Sequence, residues 1–147
     1  MKTVIKRVDG SVAIMTLVDG ADLDTAIGKW QQVHPNTYIS HRQMPDDVIP
    51  TDRTFRDAWA DTTPELTIDV DMAKARSIHL ERIRTKRNAE LSKLDVQATK
   101  AQDIGDAVTL TQIRARKQEL RDLPATLAPT LASAVSVDAL KAIQPLA

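Results

Sequence analysis

The three histidines, His34, His41 and His79, and the paired carboxylates Asp22/Asp24 and Asp46/Asp47 are where acid–base or metal chemistry would have to begin in this chain. No two histidines stand four apart, so no H-x-x-x-H pair presets two ligands on one helical face. The absence of cysteine removes thiol nucleophiles, disulfide frameworks and Cys-based zinc sites together. The acidic pairs sit beside Pro or at helix starts, where carboxylates serve as solvated turns and caps. None of the phosphate or nucleophile loops G-x-G-x-x-G, G-x-x-x-x-G-K-[ST] and G-x-S-x-G occurs, and only four glycines could let a backbone approach a phosphate. The expectation is a chain with no catalytic residue, no metal ligand and no cofactor, hence not an enzyme.

Two features remain that could recognise a partner. The run "ERIRTKR", residues 81–87, offers Arg82, Arg84, Lys86 and Arg87 to phosphates or acidic groups. Against this, successive helical positions point in different directions, Glu81 and Glu90 interleave, and no aromatic platform accompanies the run, so a solvated helix face is the stronger reading. The second feature is Phe55 with Trp59, two of only four aromatic residues in 147. They read either as a plug that docks their segment on the chain's own surface or as a contact with a partner. Trp30 reads as core.

Charge sums to zero, with twenty basic and twenty acidic residues, so no global field gathers nucleic acid or an anionic membrane. It is unevenly placed: residues 1–70 hold seven Lys/Arg against eleven Asp/Glu, and residues 71–122 hold twelve against eight. Such asymmetry predicts two unlike modules. The opening "MKTVIKRVDG" meets Asp9 and Gly10 before a secretory apolar segment can form, and no run of about 18 apolar residues follows, which predicts a soluble chain with no membrane partner.

The elements that must position these residues follow from periodicity. Strands near 3–8 and 11–18 flank Asp9-Gly10, a hairpin-turn dipeptide. Leu23, Ala26, Ile27, Trp30 and Val33 recur at helical spacing, with Asp22 or Asp24 as cap and His34-Pro35 as stop. Residues 37–44 read as a third strand, and a small sheet with this helix against it is expected to bury Trp30. Residues 45–70, rich in Pro, Asp and Thr, read mostly as loop, with one or two helical turns placing Phe55 and Trp59 on one side. From Asp69 or Asp71 a helix of about thirty residues carries the stripe Leu80, Ile83, Arg87, Leu91, Leu94, Ala98 and Ala101. Gly105 ends it, Asp106 caps a second helix over 107–122, and so short a turn folds the pair into an antiparallel hairpin. Pro124 and Pro129 oppose further helix, and Ser136 opens a last short one in an apolar tail that needs a surface. The fold class is α+β: a small N-terminal sheet with one helix over 1–48, a linker with a short aromatic helix over 49–70, a long helical hairpin over 71–123, and a tail over 124–147.

The string "DRTFRDAW", followed by "DMAKARSIHLERIR", "LSKLDVQ", "GD" and "ARKQELRDLP" and closed by "ALKAIQP", resembles a layout found in small proteins of tailed bacteriophages and prophages. It covers about residues 51 to 145. The resemblance implies phage origin near the structural or tail genes, and assigns no reaction. Taken with the narrow apolar stripe, it leads to the expectation of a minor virion protein. Such a chain would be attached to capsid or tail by packing on other phage structural proteins, in repeated copies or as a homo-oligomer, and assembled in the host cytoplasm. In that reading Phe55, Trp59, Arg82, Arg84, Lys86 and Arg87 would be the partner-binding residues. A tail-fibre or tail assembly chaperone is one alternative, and a nucleic-acid-binding phage regulator using residues 81–87 is the other.

Overall fold

The computed structural model describes residues 1–62 and 67–146 and has the expected α+β architecture: an antiparallel sheet with one helix, followed by two long helices. The chain divides into unit 1, Met1–Ala75, and unit 2, Arg76–Ala147.

In unit 1, β1 (Lys2–Arg7), β2 (Val12–Met15) and β3 (Tyr38–Met44) form an antiparallel sheet in the order β2-β1-β3. The β1–β2 connection works because Gly10 takes φ +77° while the Asp9 carboxylate accepts from the Ser11 N–H (3.0 Å) and hydroxyl (2.6 Å). Helix α1 (Leu23–Val33) starts at Asp22, whose carboxylate accepts from the Thr25 N–H and hydroxyl, each at 2.8 Å. Register places Val4, Ile14 and Arg42 side by side on one face of the sheet, with Val12 and Met44 on the same face. The opposite face carries Thr3 and Ile5, both fully buried, and Ile27 is the buried residue of α1.

Trp30 departs from its expected place. It is only half-buried, with the Arg7 guanidinium 5.8 Å from its ring centroid and the His34 ring at 4.6 Å. The inward position of α1 belongs to Ile27, and Val33 is left exposed, so the helix's apolar face overhangs the small sheet. The indole tolerates that edge under a cation and another ring.

The larger correction falls in residues 45–70. Beyond single 3-10 turns at Asp46–Val48 and Arg56–Ala58, this segment forms a second antiparallel pair, β4 (Trp59–Thr62) with β5 (Thr67–Val70). The expected aromatic helix is absent: Phe55 precedes the 3-10 turn with φ −118°, and Trp59 has extended backbone at φ −65°, ψ 135°. Register pairs Trp59 with Val70 and Asp61 with Ile68, so these four side chains share one face of the ribbon. That face completes the core, where Trp59 and Ile68 join Val4, Val12, Met44 and Ile49. The alternation in "WADT" and "TIDV" is the strand signal that the Asp- and Thr-rich composition masked. The part of the loop expectation that concerns residues 63–66 lies outside the described residues.

In unit 2, the stripe of α2 (Met72–Asp103) faces inward as expected, Ile83 and Ala101 being buried and Leu80, Arg87, Leu91, Leu94 and Ala98 half-buried. The helix ends in a Schellman turn: Asp106 N–H donates to Ala101 O (2.8 Å), Gly105 N–H donates to Gln102 O (3.1 Å), and Gly105 holds φ +71°. Asp106 then caps α3 (Ala107–Ser133) by accepting from the Thr109 N–H and hydroxyl at 3.0 and 2.6 Å.

Helix α3 does not stop near residue 122 but continues through Pro124 and Pro129. Each proline forfeits an internal hydrogen bond. The inward spacing of 3 and 4 nevertheless persists through Leu110, Ile113, Lys117, Leu120, Pro124, Leu127 and Leu131, so packing carries the helix past both. Its end is tied down as the Arg76 Nε and Nη2 donate to Ala134 O at 3.1 and 2.9 Å. The Lys117 ammonium meets Asp95 at 2.5 Å, joining α3 to α2. The tail then lies on unit 2's own surface: α4 (Val137–Ala142) buries Leu140 completely, and His79 Nε2–H donates to Ile143 O at 2.9 Å.

Replacing the exposed Pro129 by Ala is expected to raise the unfolding free energy of unit 2 by about 1–3 kcal/mol, read by urea denaturation, because the helix regains a bond without losing a seam contact. A second expectation concerns acid. Hydrogen bonds from Thr25 and Thr109 hold Asp22 and Asp106 below the ordinary value of 3.8. Their contribution is therefore complete above that value and is lost as pH falls through the depressed folded values. Thermal melts from pH 5 to pH 2 should show a shallower loss for Asp106→Asn than for the parent.

Candidate functional site

Phe55 and Trp59, the strongest candidates by residue type, are 1 % and 3 % exposed, and Trp59 sits in the core of unit 1. Their rings are engaged within their own fold, on the side of the intramolecular plug. One atom stays unsatisfied: the buried Trp59 indole N–H has no hydrogen-bond partner among the described residues. A buried donor without an acceptor costs on the order of 1–3 kcal/mol.

Beside this ring, Asp61 is nearly buried and forms an ion pair with Arg42, whose Nε also donates to the second carboxylate oxygen at 3.4 Å. Arg42 Nη2 reaches Thr67 O at 3.4 Å, so the pair links β3 to both strands of the ribbon. Removal of either partner would leave a charge with little water around it.

Trp59 also forms part of a cavity of about 190 Å³, whose apolar wall is completed by Val12 and Ile14. Arg7, Asp9, Ser11, Arg56 and Asp57 supply its polar wall. The Ser11 hydrogen bonds, with Lys74 and Arg7 nearby, hold the Asp9 carboxyl below its ordinary range, so it is anionic at neutral pH. Arg56 and Asp57 are exposed at the 3-10 turn. The wall draws on the β1–β2 turn, β2, the 3-10 turn and β4, and sequence spacing gave no signal for it, because its parts lie more than forty residues apart.

The basic run is dispersed. Arg82 and Lys86, four apart, share one side of α2 and flank an open apolar groove with Ile78 and Thr85. Arg84 pairs with Glu81, and Arg87 turns onto the half-buried stripe and donates to the Asn88 side chain at 3.2 and 3.0 Å. Lys86 also approaches Leu146 O at 3.4 Å. The histidines are likewise separated: His34 packs on Trp30, His41 Nδ1 and the Tyr38 hydroxyl are 2.8 Å apart, and His79 holds the tail. Among the described residues no group of three or more His, Asp or Glu side chains could hold a metal ion, and no helix is long and apolar enough to cross a membrane. No protein-family model, curated protein or solved structure matches the chain.

The role of Trp59 is separable by substitution. Trp59→Ala is expected to destabilise unit 1 by about 3–5 kcal/mol, whereas Trp59→Phe, which keeps an apolar ring and deletes the unsatisfied N–H, should cost about 1 kcal/mol or less. Chemical denaturation of the two variants checks the contrast.

Proposed function

We propose that this chain is a minor structural protein of a bacteriophage particle, held in repeated copies on the capsid or tail by packing against other phage structural proteins. The observation that carries the reading is the half-open seam of the helical hairpin. Over helices of 32 and 27 residues, Leu80, Leu91, Leu94, Leu110 and Leu127 all remain partly exposed. Two helices alone cannot enclose a stripe of this length, and a neighbouring subunit completes such a core at little cost in ordering. Ile104 at 79 % and Val108 at 70 % exposure add apolar surface around the turn between the helices. The "DRTFRDAW" block and the order of segments behind it supply the phage attribution by resemblance.

This role needs no reaction, cofactor or membrane, and its location would be the virion after assembly in the host cytoplasm. Arg82 and Lys86 lie on the side of α2 away from the stripe, and the four basic side chains do not form one surface, so they fit separate contacts with acidic groups of a partner better than a nucleic-acid track.

Mass spectrometry of purified particles tests the proposal. The expected outcome is a stoichiometric band for this chain that survives salt washing. A chain absent from finished particles but captured with a tail protein in infected cells would instead be an assembly chaperone. Binding to DNA or RNA that weakens steeply with salt would point to a regulator.

A further inference from the structure

We infer that the outer edge of β3 is an interface between two copies of this chain, at which β3 pairs antiparallel with β3 of the second copy and extends the three-stranded sheet to six strands. The contact lies in unit 1 and does not rest on the packing role of the helical hairpin.

Backbone alternation shows which groups the edge offers. The Val8 N–H donates to Thr37 O at 2.9 Å on the β3 side of β1, and the Arg7 N–H donates to Ser11 O at 2.9 Å on the β2 side. Even-numbered residues of β1 therefore address β3, where Val4 stands opposite Arg42 and Lys6 opposite Ser40. Ser40 and Arg42 turn their backbone groups inward to β1, so His41 and Gln43 turn theirs outward. Among the described residues no strand pairs with that outer side. The side chains there are open too, since Ile39 is 51 % exposed and Ser40 and Gln43 are exposed. A row of outward N–H and C=O groups is matched by one kind of occupant, the edge of another strand.

Charge selects a second copy of β3 as that strand. Exposed edges are kept apart by Lys, Pro or unpaired charges. β3 reads Tyr-Ile-Ser-His-Arg-Gln-Met, and its single permanent charge, Arg42, is already neutralised by Asp61 on the ribbon side. Antiparallel pairing of two such strands is two-fold symmetric and sets no unpaired like charges against each other. The other sheet edges are unlike it. The β2 side is met by the ribbon of the same chain through the Ser11–Ala60 bridge, and β5 has four residues with exposed Asp69 among them. The irregularity opposite Lys6 and Arg7 distorts only the start of β3, leaving Ser40–Met44 in regular register. Pairing also covers Ile39, the exposed aliphatic side chain of the edge.

Sedimentation equilibrium of the full chain between about 1 and about 500 µM tests the inference. A reversible dimer with a Kd of about 100 µM or tighter is expected. Gln43→Pro removes an outward N–H that β1 does not use, and should leave a monomer with an unchanged circular dichroism spectrum. Gln43→Ala keeps that N–H and should dimerise like the parent. Ile39→Glu, at an exposed position, should weaken the dimer at least about tenfold by opposing like charges across the pairing. A parent chain that stays monomeric over the whole range would overturn the inference. So would self-association that survives both Gln43→Pro and Ile39→Glu, which would place the contact elsewhere, or a dimer lost equally in Gln43→Ala. None of these results bears on whether the chain is found in particles.

Discussion

The seating of the Trp59 indole between the three-stranded sheet and the β4–β5 ribbon is the contact on which unit 1 is built. A sheet of three strands has too little surface to form a core alone, and its inward face, Val4, Val12, Ile14 and Met44, needs an apolar cover. The ribbon provides it because a two-residue period gathers Trp59, Ile68 and Val70 on the side that also carries Asp61. That aspartate can enter a dry layer only with Arg42 opposite it, so a single ion pair fixes the lateral position of the ribbon while the indole fixes its depth. A cavity remains beside the ring, lined by residues of the β1–β2 turn, β2 and the 3-10 turn at Arg56–Ala58.

Unit 2 rests on a different constraint. Its seam is one stripe wide and interrupted by Arg87 and Lys117, so neither helix of the hairpin can be enclosed by the other. The chain compensates with polar ties at the edges: Lys117 to Asp95, Arg76 to the carbonyl that ends α3, and His79 to the tail. The tail contributes Leu140, which is fully buried, and so acts as a short third element against the hairpin. What stays open along the middle of the seam is the surface on which the proposed packing role depends.

The open apolar stripe of the hairpin suits extended packing against helices of a neighbour, for which specificity resides in shape. Unit 1 carries instead a small cavity beside the Trp59 ring, lined mainly by polar residues.

Much of the architecture was legible in the sequence because it is dictated locally. Asp9-Gly10, Asp22, Gly105 and Asp106 act through hydrogen bonds to residues a few positions away, and the helical stripe from Leu80 to Ala101 is set by a period of 3.6. The residues themselves likewise determined that neither a cysteine site nor a known phosphate loop could be built. Tertiary structure alone decided the rest. Whether Trp59 closes a short helix or begins a strand depends on a partner strand eight residues and more away, and on a sheet face formed by residues 4–44. Whether α3 stops at Pro124 depends on the seam contacts of Leu120, Leu127 and Leu131, which outweigh a local cost that the sequence shows plainly. The cavity is the extreme case, because no short stretch carries it: its charges and its apolar wall are brought together only when the ribbon closes over the sheet, and that closure is driven by buried area rather than by any local preference of the chain.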